Sequence, residues 1–151
     1  MKKVIVFLII FTTFFSCKKD KLEGGKEILI GKWKWVYSTR SVRDNCDNPP
    51  VITILTPMSE GIDYSIDFKE RGCVTFYKNQ KKIEKYRIVF TGWHPDLYIP
   101  GEHYFGIYLN NKSENNFSAS IKSDSLIERG FFPYKEIEGS CTSYANYFVR
   151  E

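Results

Sequence analysis

Histidine and methionine are scarce, two of each in 151 residues. His94 and His103 are the whole supply of imidazole, and with Asp96 and Glu102 nearby they match no known metal-ligand spacing. No Gly-x-Ser-x-Gly, Cys-x-x-Cys or phosphate-loop pattern occurs, so the residues point to no catalytic group, no metal site and no cofactor. Glu136 and Glu138 stand in a stretch of mixed charge. They read as a solvated face rather than an acid–base pair. No apolar run reaches the length of about 20 residues that a membrane-spanning helix needs. The longest, Val4 to Phe15, is short and is broken by Thr12 and Thr13. The net charge is only +4, too weak a bias to argue for nucleic acid. The chain is expected not to be an enzyme.

What is present begins at the N-terminus. Met1-Lys2-Lys3 leads into the apolar run, and Ser16-Cys17 follows it. A charged start, a short apolar stretch and a small residue before a cut are the parts of a secretory signal. A cysteine directly after the small residue resembles the lipobox of bacterial lipoproteins. That resemblance implies a signal peptide over 1–16 and a lipid-bearing Cys17. It also implies attachment to the cell envelope, by expectation the outer membrane. Several acyl chains on one cysteine suffice for stable anchoring, because each buried methylene contributes about 0.8 kcal/mol. Residues 18–27 (KKDKLEGGKE) are polar and carry Gly24-Gly25. They read, with Cys17, as a lipidated flexible tether over 17–27. The folded domain is expected over 28–151.

Within it, Tyr, Phe and Trp are abundant while Ala and Leu are few, a composition that suits strands. Trp33, Trp35 and Tyr37 alternate with Lys32, Lys34 and Ser38, the period-two pattern of a half-buried strand. Tyr64-Ser-Ile-Asp-Phe-Lys69 and Cys73-Val-Thr-Phe-Tyr-Lys78 flank a turn at Gly72. Ile83 to Phe90, with Tyr86 and Ile88 in phase, follows a turn at Asn79-Gln80. Thr91 to His103 contains Gly92, Pro95, Pro100 and Gly101 and reads as a long irregular loop. Further strands are expected at 104–109, around 117–121, around Leu126, and over 144–150. About eight short antiparallel strands joined mostly by hairpins imply an all-β fold, a single up-and-down barrel. Such a barrel is just filled by side chains or holds one small ligand.

Gly31-Lys-Trp33 resembles the Gly-x-Trp opening of lipocalins, in particular the small lipocalin-like domains of bacterial lipoproteins. Phe68, Gly72, Tyr77 and Asn79 match their second hairpin, and the stretch 92–103 departs from it as an insertion. Arg150 matches the lipocalin arginine near the end of the last strand. The resemblance implies that Gly31, Trp33 and Arg150 are structural, with the guanidinium on the indole face.

Two functions follow as expectations. One is a lipid-anchored barrel holding a small apolar molecule, with Trp35, Tyr37, Tyr86 and Phe105 as ligand-binding candidates. The other is an interaction module contacting another envelope protein through Trp93, Tyr98, Phe131, Phe132 and Tyr134. Cys46, Cys73 and Cys141 remain after lipidation. Successive connections of an up-and-down barrel alternate between its ends. Cys46 in the first connection and Cys141 in the seventh therefore share an end, and Cys73 lies at the other. A disulfide needs alpha-carbons within about 4.4–6.8 Å. The expected bridge is Cys46–Cys141, with Cys73 free.

Overall fold

The computed structural model describes residues 21–43, 49–95, 99–110, 116–129, 131–134 and 141–151, without the side chains of Phe90, Thr91 and Pro95. The expected signal, Cys17, Cys46, Asp96, Tyr98, Glu136 and Glu138 lie outside the described residues. The strands are β1 (Gly31–Val42), β2 (Val51–Leu55), β3 (Tyr64–Lys69), β4 (Cys73–Lys78) and β5 (Lys81–Pro95). They continue as β6 (Glu102–Leu109), β7 (Phe117–Lys122), β8 (Ser125–Arg129) and β9 (Thr142–Arg150). A 3₁₀ turn (Lys26–Leu29) precedes β1, and one helical turn, α1 (Pro57–Glu60), follows β2.

From β3 to β9 each strand pairs with the next, and β1 joins β3 to β9. The result is a closed, antiparallel barrel of eight strands. Closure removes the open sheet edges that invite association. The inward rows are apolar, from Trp33 and Trp35 through Ile66, Phe68, Val74 and Phe76 to Leu126 and Phe148. They stack into one core inside the ring.

Four local features depart from the sequence reading. In β1 the register against β9 shifts between Trp35 and Tyr37. A bulge adds one residue and so exchanges the two faces beyond it. Ser38 therefore turns inward and is fully buried, while Tyr37 turns outward and stacks on Tyr147 at 4.2 Å. Tyr37 is thus removed from the expected ligand-facing set.

Secondly, the connection after β1 contains β2, which pairs with Ser38–Val42. β3 takes the same edge of β1 lower down, against Gly31–Lys34. Between them α1 interrupts what would otherwise be one long partner strand. Thr56 and Ser59 cap it reciprocally, and Gly61 ends it at φ 63°.

Thirdly, the expected loop over 91–103 is mostly strand. β5 runs on to Pro95 and β6 begins at Glu102, with Gly92 opposite Gly106 and Trp93 opposite Phe105. Glycine and proline are tolerated here because Gly92 faces another glycine across the ladder and Pro95 falls at the strand end.

Finally, packing begins before Ile28. Leu22 is buried in the core, and its amide donates to Glu70 O at 3.3 Å. Gly25 (φ +90°) lies so close under Trp93 that a β-carbon would come within 2.5 Å of the indole.

Candidate functional site at the barrel mouth

The two ends of the barrel are built differently. At the end where β1 starts, Trp33 is fully buried and its Nε1–H donates to Leu29 O at 2.9 Å. The Arg150 guanidinium lies 4.3 Å from the Trp33 ring. It donates from Nη1 to Ile30 O and from Nη2 to Ile28 O, both at 2.7 Å. Gly31, at φ 131°, allows the close approach, since a β-carbon there would sit 3.1 Å from Arg150 Nη1. The 3₁₀ turn is thereby strapped across this end. Leu22 and the turn at Gly72 cover it further.

The other end carries the polar chemistry. The bulge that turned Ser38 inward places its hydroxyl between two buried groups. Trp35 Nε1–H donates to Ser38 Oγ at 2.9 Å, and the Ser38 hydroxyl donates to Asn146 Oδ1 at 2.6 Å. Asn146 Nδ2 donates onward to Glu128 Oε2 at 2.7 Å and to Tyr134 O at 3.2 Å. Glu128 is fully buried. Its Oε2 also accepts the backbone N–H of Phe132 at 3.1 Å. Burying a carboxyl group is costly unless it is hydrogen-bonded. Here a relay running from β1 through β9 to β8 supplies the bonds.

Over this relay lies the segment 131–134. Its aromatics fold back over the barrel end: Phe132 is buried, and Phe131 and Tyr134 are half-buried against the core. The Phe132 ring stands edge-on to Tyr64 at 5.1 Å and tilted against Phe76 at 4.7 Å. Phe131 stacks on Phe117 at 5.5 Å and meets Phe76 and Tyr86 edge-on at 5.2 and 6.0 Å. Tyr134 packs edge-on to Trp35 at 6.0 Å and stacks on Tyr144 at 5.4 Å. Burying an aromatic of this size stabilises by about 1.5–3 kcal/mol, and edge-to-face pairs add about 0.5–1.5 kcal/mol. Trp93 is likewise turned onto the body, stacking with His103 and covering Gly25.

The rim is acidic and phenolic. Burial and the adjacent Glu60 carboxylate push the Tyr134 hydroxyl well above the usual phenol range. The same two causes raise Tyr64. The Tyr86 hydroxyl donates to Glu84 Oε2 at 2.6 Å, and this bond, with burial, pushes it up to about 12.

Of the expected ligand-facing residues, Trp35 and Tyr86 belong to this cluster. Phe105 is buried in the wall, but among the described residues no ring contact joins it to the mouth. Tyr37 lies on the outer face. Glu128, Asn146 and Ser38 were not singled out from the sequence. Two of them were within reach of the period-two pattern: Glu128 shares a face with Leu126, and Asn146 shares one with Phe148. Elsewhere, a groove of about 350 Å³ runs along the outer wall over Gly106, Tyr108, Ser118 and Arg129. Among the described residues no group of three or more His, Cys, Asp or Glu side chains is placed to hold a metal ion. No helix there is long and apolar enough to cross a membrane.

Neither a family model, nor a curated protein, nor a solved structure matches this chain.

Proposed function

We propose that the chain is a lipid-anchored lipoprotein of the cell envelope, at the outer membrane, whose lipocalin-like barrel binds a small hydrophobic molecule at its mouth without catalysing a reaction. The observation that carries this reading is the buried Glu128–Asn146–Ser38 relay beneath an aromatic segment. A barrel serving only as a scaffold gains little from a buried carboxyl, since apolar packing is at least as stabilising. A concave apolar site with a few converging polar groups is the ordinary form of a small-molecule site. Trp35, Tyr64, Tyr86, Asn146 and Glu128 surround the place that Phe131, Phe132 and Tyr134 occupy and are the proposed site. Leu22 and the 3₁₀ turn sit at the opposite end, so a lipid on Cys17 would leave the mouth facing away from the membrane. The test is native mass spectrometry of the full chain extracted from envelopes in mild detergent. A bound small molecule, and a lipid mass on Cys17 that is lost in Cys17→Ser, are the expected results. Bare protein with an unmodified Cys17 overturns the reading.

A second reading, an interaction module at the envelope, now rests on β2 rather than on the loop aromatics. Val51, Ile52, Ile54 and Met58 are 68, 64, 62 and 95 % exposed. The first three lie on β2 itself and Met58 on α1, and among the described residues β2 pairs only with β1.

The Cys46–Cys141 bridge is also part of the proposal. Val42 is paired with Thr142, and Arg43 N–H donates to Cys141 O at 3.1 Å, so the residue three positions before Cys46 in the sequence lies against Cys141. Cys73 is a free thiol opposite Lys69, at the far end of the barrel. Non-reducing peptide mapping should find the 46–141 pair, and a bridge to Cys73 would refute it.

A further inference from the structure

We infer that the groove on the outer wall of the barrel is a second binding site, and that it takes a sugar ring bearing a carboxylate, such as a uronic acid. The groove is separate from the mouth, and the inference does not rest on the binding reading above.

The groove follows one row across the sheet. Gly92 on β5 is paired with Gly106 on β6, Gly106 with Ser118 on β7, and Ser118 with Arg129 on β8. Residues directly opposite one another share a face, and neighbours along a strand take opposite faces. Ile107, Phe117 and Glu128 are buried on the inner face, so the row of Gly106, Ser118 and Arg129 faces outward. Tyr108 lies two residues beyond Gly106 on the same outer face and is 45 % exposed. It forms a wall of the groove, and the exposed Asn116 lines it as well. The enclosed space of about 350 Å³ falls within the range of about 300–1,000 Å³ usual for small-molecule sites.

Gly106 carries the inference. A glycine inside a strand weakens it, and it often marks a place where a ligand or another backbone comes close. Gly25 and Gly31 have structural reasons, with φ of +90° and +131° and a side chain packed hard against each. Gly106 has neither reason. Its φ lies outside the left-handed region, and a β-carbon there would meet only Tyr108 Cε2, at 3.7 Å, an ordinary contact. The fold accepts a larger residue at this position. What the glycine preserves is an open floor beside the Tyr108 ring.

The groups around that floor define the ligand. Arg129 is exposed and, among the described residues, joins no ion pair. A guanidinium accepts a planar carboxylate through two parallel bonds. The Ser118 hydroxyl and the Asn116 amide can each donate and accept, which suits ligand hydroxyls. Tyr108 offers a flat ring against which the C–H face of a sugar packs by dispersion. A hydrocarbon would strip water from Ser118, Asn116 and Arg129 and return no hydrogen bond, which is costly. A neutral sugar would satisfy the floor and the wall but leave the guanidinium without a counter-charge.

The test uses the detergent-solubilised full chain and three probes: glucuronate, glucose and benzoate. Binding is followed by saturation-transfer NMR and titration. Glucuronate should bind about tenfold tighter than glucose, the scale of hydrogen bonding to a charged group. Arg129→Met should erase that difference and leave glucose binding unchanged. Benzoate, which has the ring and the acid but no hydroxyls, should bind more weakly than glucuronate. Gly106→Val should abolish binding of both sugars yet melt no lower than the unaltered chain, because a β-branched residue suits a strand. Sugar binding that survives in Gly106→Val overturns the groove as the site. Equal binding of glucose and glucuronate, or a glucuronate affinity unmoved by Arg129→Met, overturns the carboxylate contact. Tighter binding of benzoate overturns the sugar class. Absence of binding by all three probes overturns the site and leaves the reading of the mouth standing. Arg129→Met changes an exposed side chain, so it decides the carboxylate contact even if Gly106→Val does not fold.

Discussion

The strap at the closed end offers the sharpest stability test. Trp33 is fully buried, so Trp33→Ala removes an entire core aromatic and should cost about 3–5 kcal/mol. Arg150→Met keeps much of the aliphatic stem but removes two charge-assisted bonds to the carbonyls of Ile30 and Ile28. Such bonds contribute about 1.5–3 kcal/mol each in favourable cases. The Arg150 side chain is 31 % exposed, which discounts both. Its ion pair with Asp124 adds little, because the Asp124 side chain is 85 % exposed. The net cost should be on the order of 2–3 kcal/mol. The double mutant measures what is specific to the contact of guanidinium with indole. At 4.3 Å from the ring, that coupling should be about 0.5–2 kcal/mol. Urea denaturation of the parent, both single mutants and the double mutant closes the cycle. Additive effects within experimental error, or an Arg150→Met protein as stable as the parent, would show that the strap does not hold this end.

Ser38→Ala should cost about 1–3 kcal/mol in the same assay, because it leaves Trp35 Nε1–H and Asn146 Oδ1 without their common partner. A neutral result would mean that the relay is not continuous. Gly25→Ala should destabilise and raise protease sensitivity near residue 22, since the backbone there has φ +90° and the new methyl would meet the Trp93 indole. Unchanged cleavage would argue against the packing of this segment. Tyr86 should ionise at about 12, held up by its bond to Glu84 and by burial. The folded-state value lies above the ordinary value near 10, so the associated stabilisation is complete below pH 10 and is lost as pH rises through about 12. Glu84→Gln should bring the ultraviolet tyrosinate transition down, and an unmoved transition would exclude the Glu84 bond as the cause.

The barrel itself was legible because alternation is strict over most strands, and because turns at Gly72 and Asn79-Gln80 fix their hairpins. What escaped has identifiable physical causes. The bulge between Trp35 and Tyr37 has no residue signature: Lys34-Trp-Val-Tyr-Ser38 reads as unbroken alternation with Tyr37 in phase. The single extra residue turned the expected inward tyrosine out and a serine in. β2 was missed because Val51 to Leu55 is wholly apolar apart from Thr53 and so shows no alternation to read. Gly92 and Pro95 suggested a loop, yet cross-strand pairing of Gly92 with Gly106 satisfies the backbone there. The inward turn of Phe131 to Tyr134 depends on Glu128 accepting from Phe132 N–H and on Asn146 donating to Tyr134 O, two neighbours paired across β8 and β9, and neither bond leaves a residue signature. The same bonds explain why Glu128 went unnoticed. Its phase with Leu126 predicts burial, but a buried carboxyl is credible only once its donors are known.

The closed mouth is most directly tested by residue-resolved hydrogen exchange at the Phe132 amide. That N–H donates to a fully buried carboxyl group beneath its own ring. It should exchange as slowly as the amides of the barrel strands, and Glu128→Leu should release it. Exchange at the rate of an unstructured loop would contradict the closure of the mouth by this segment.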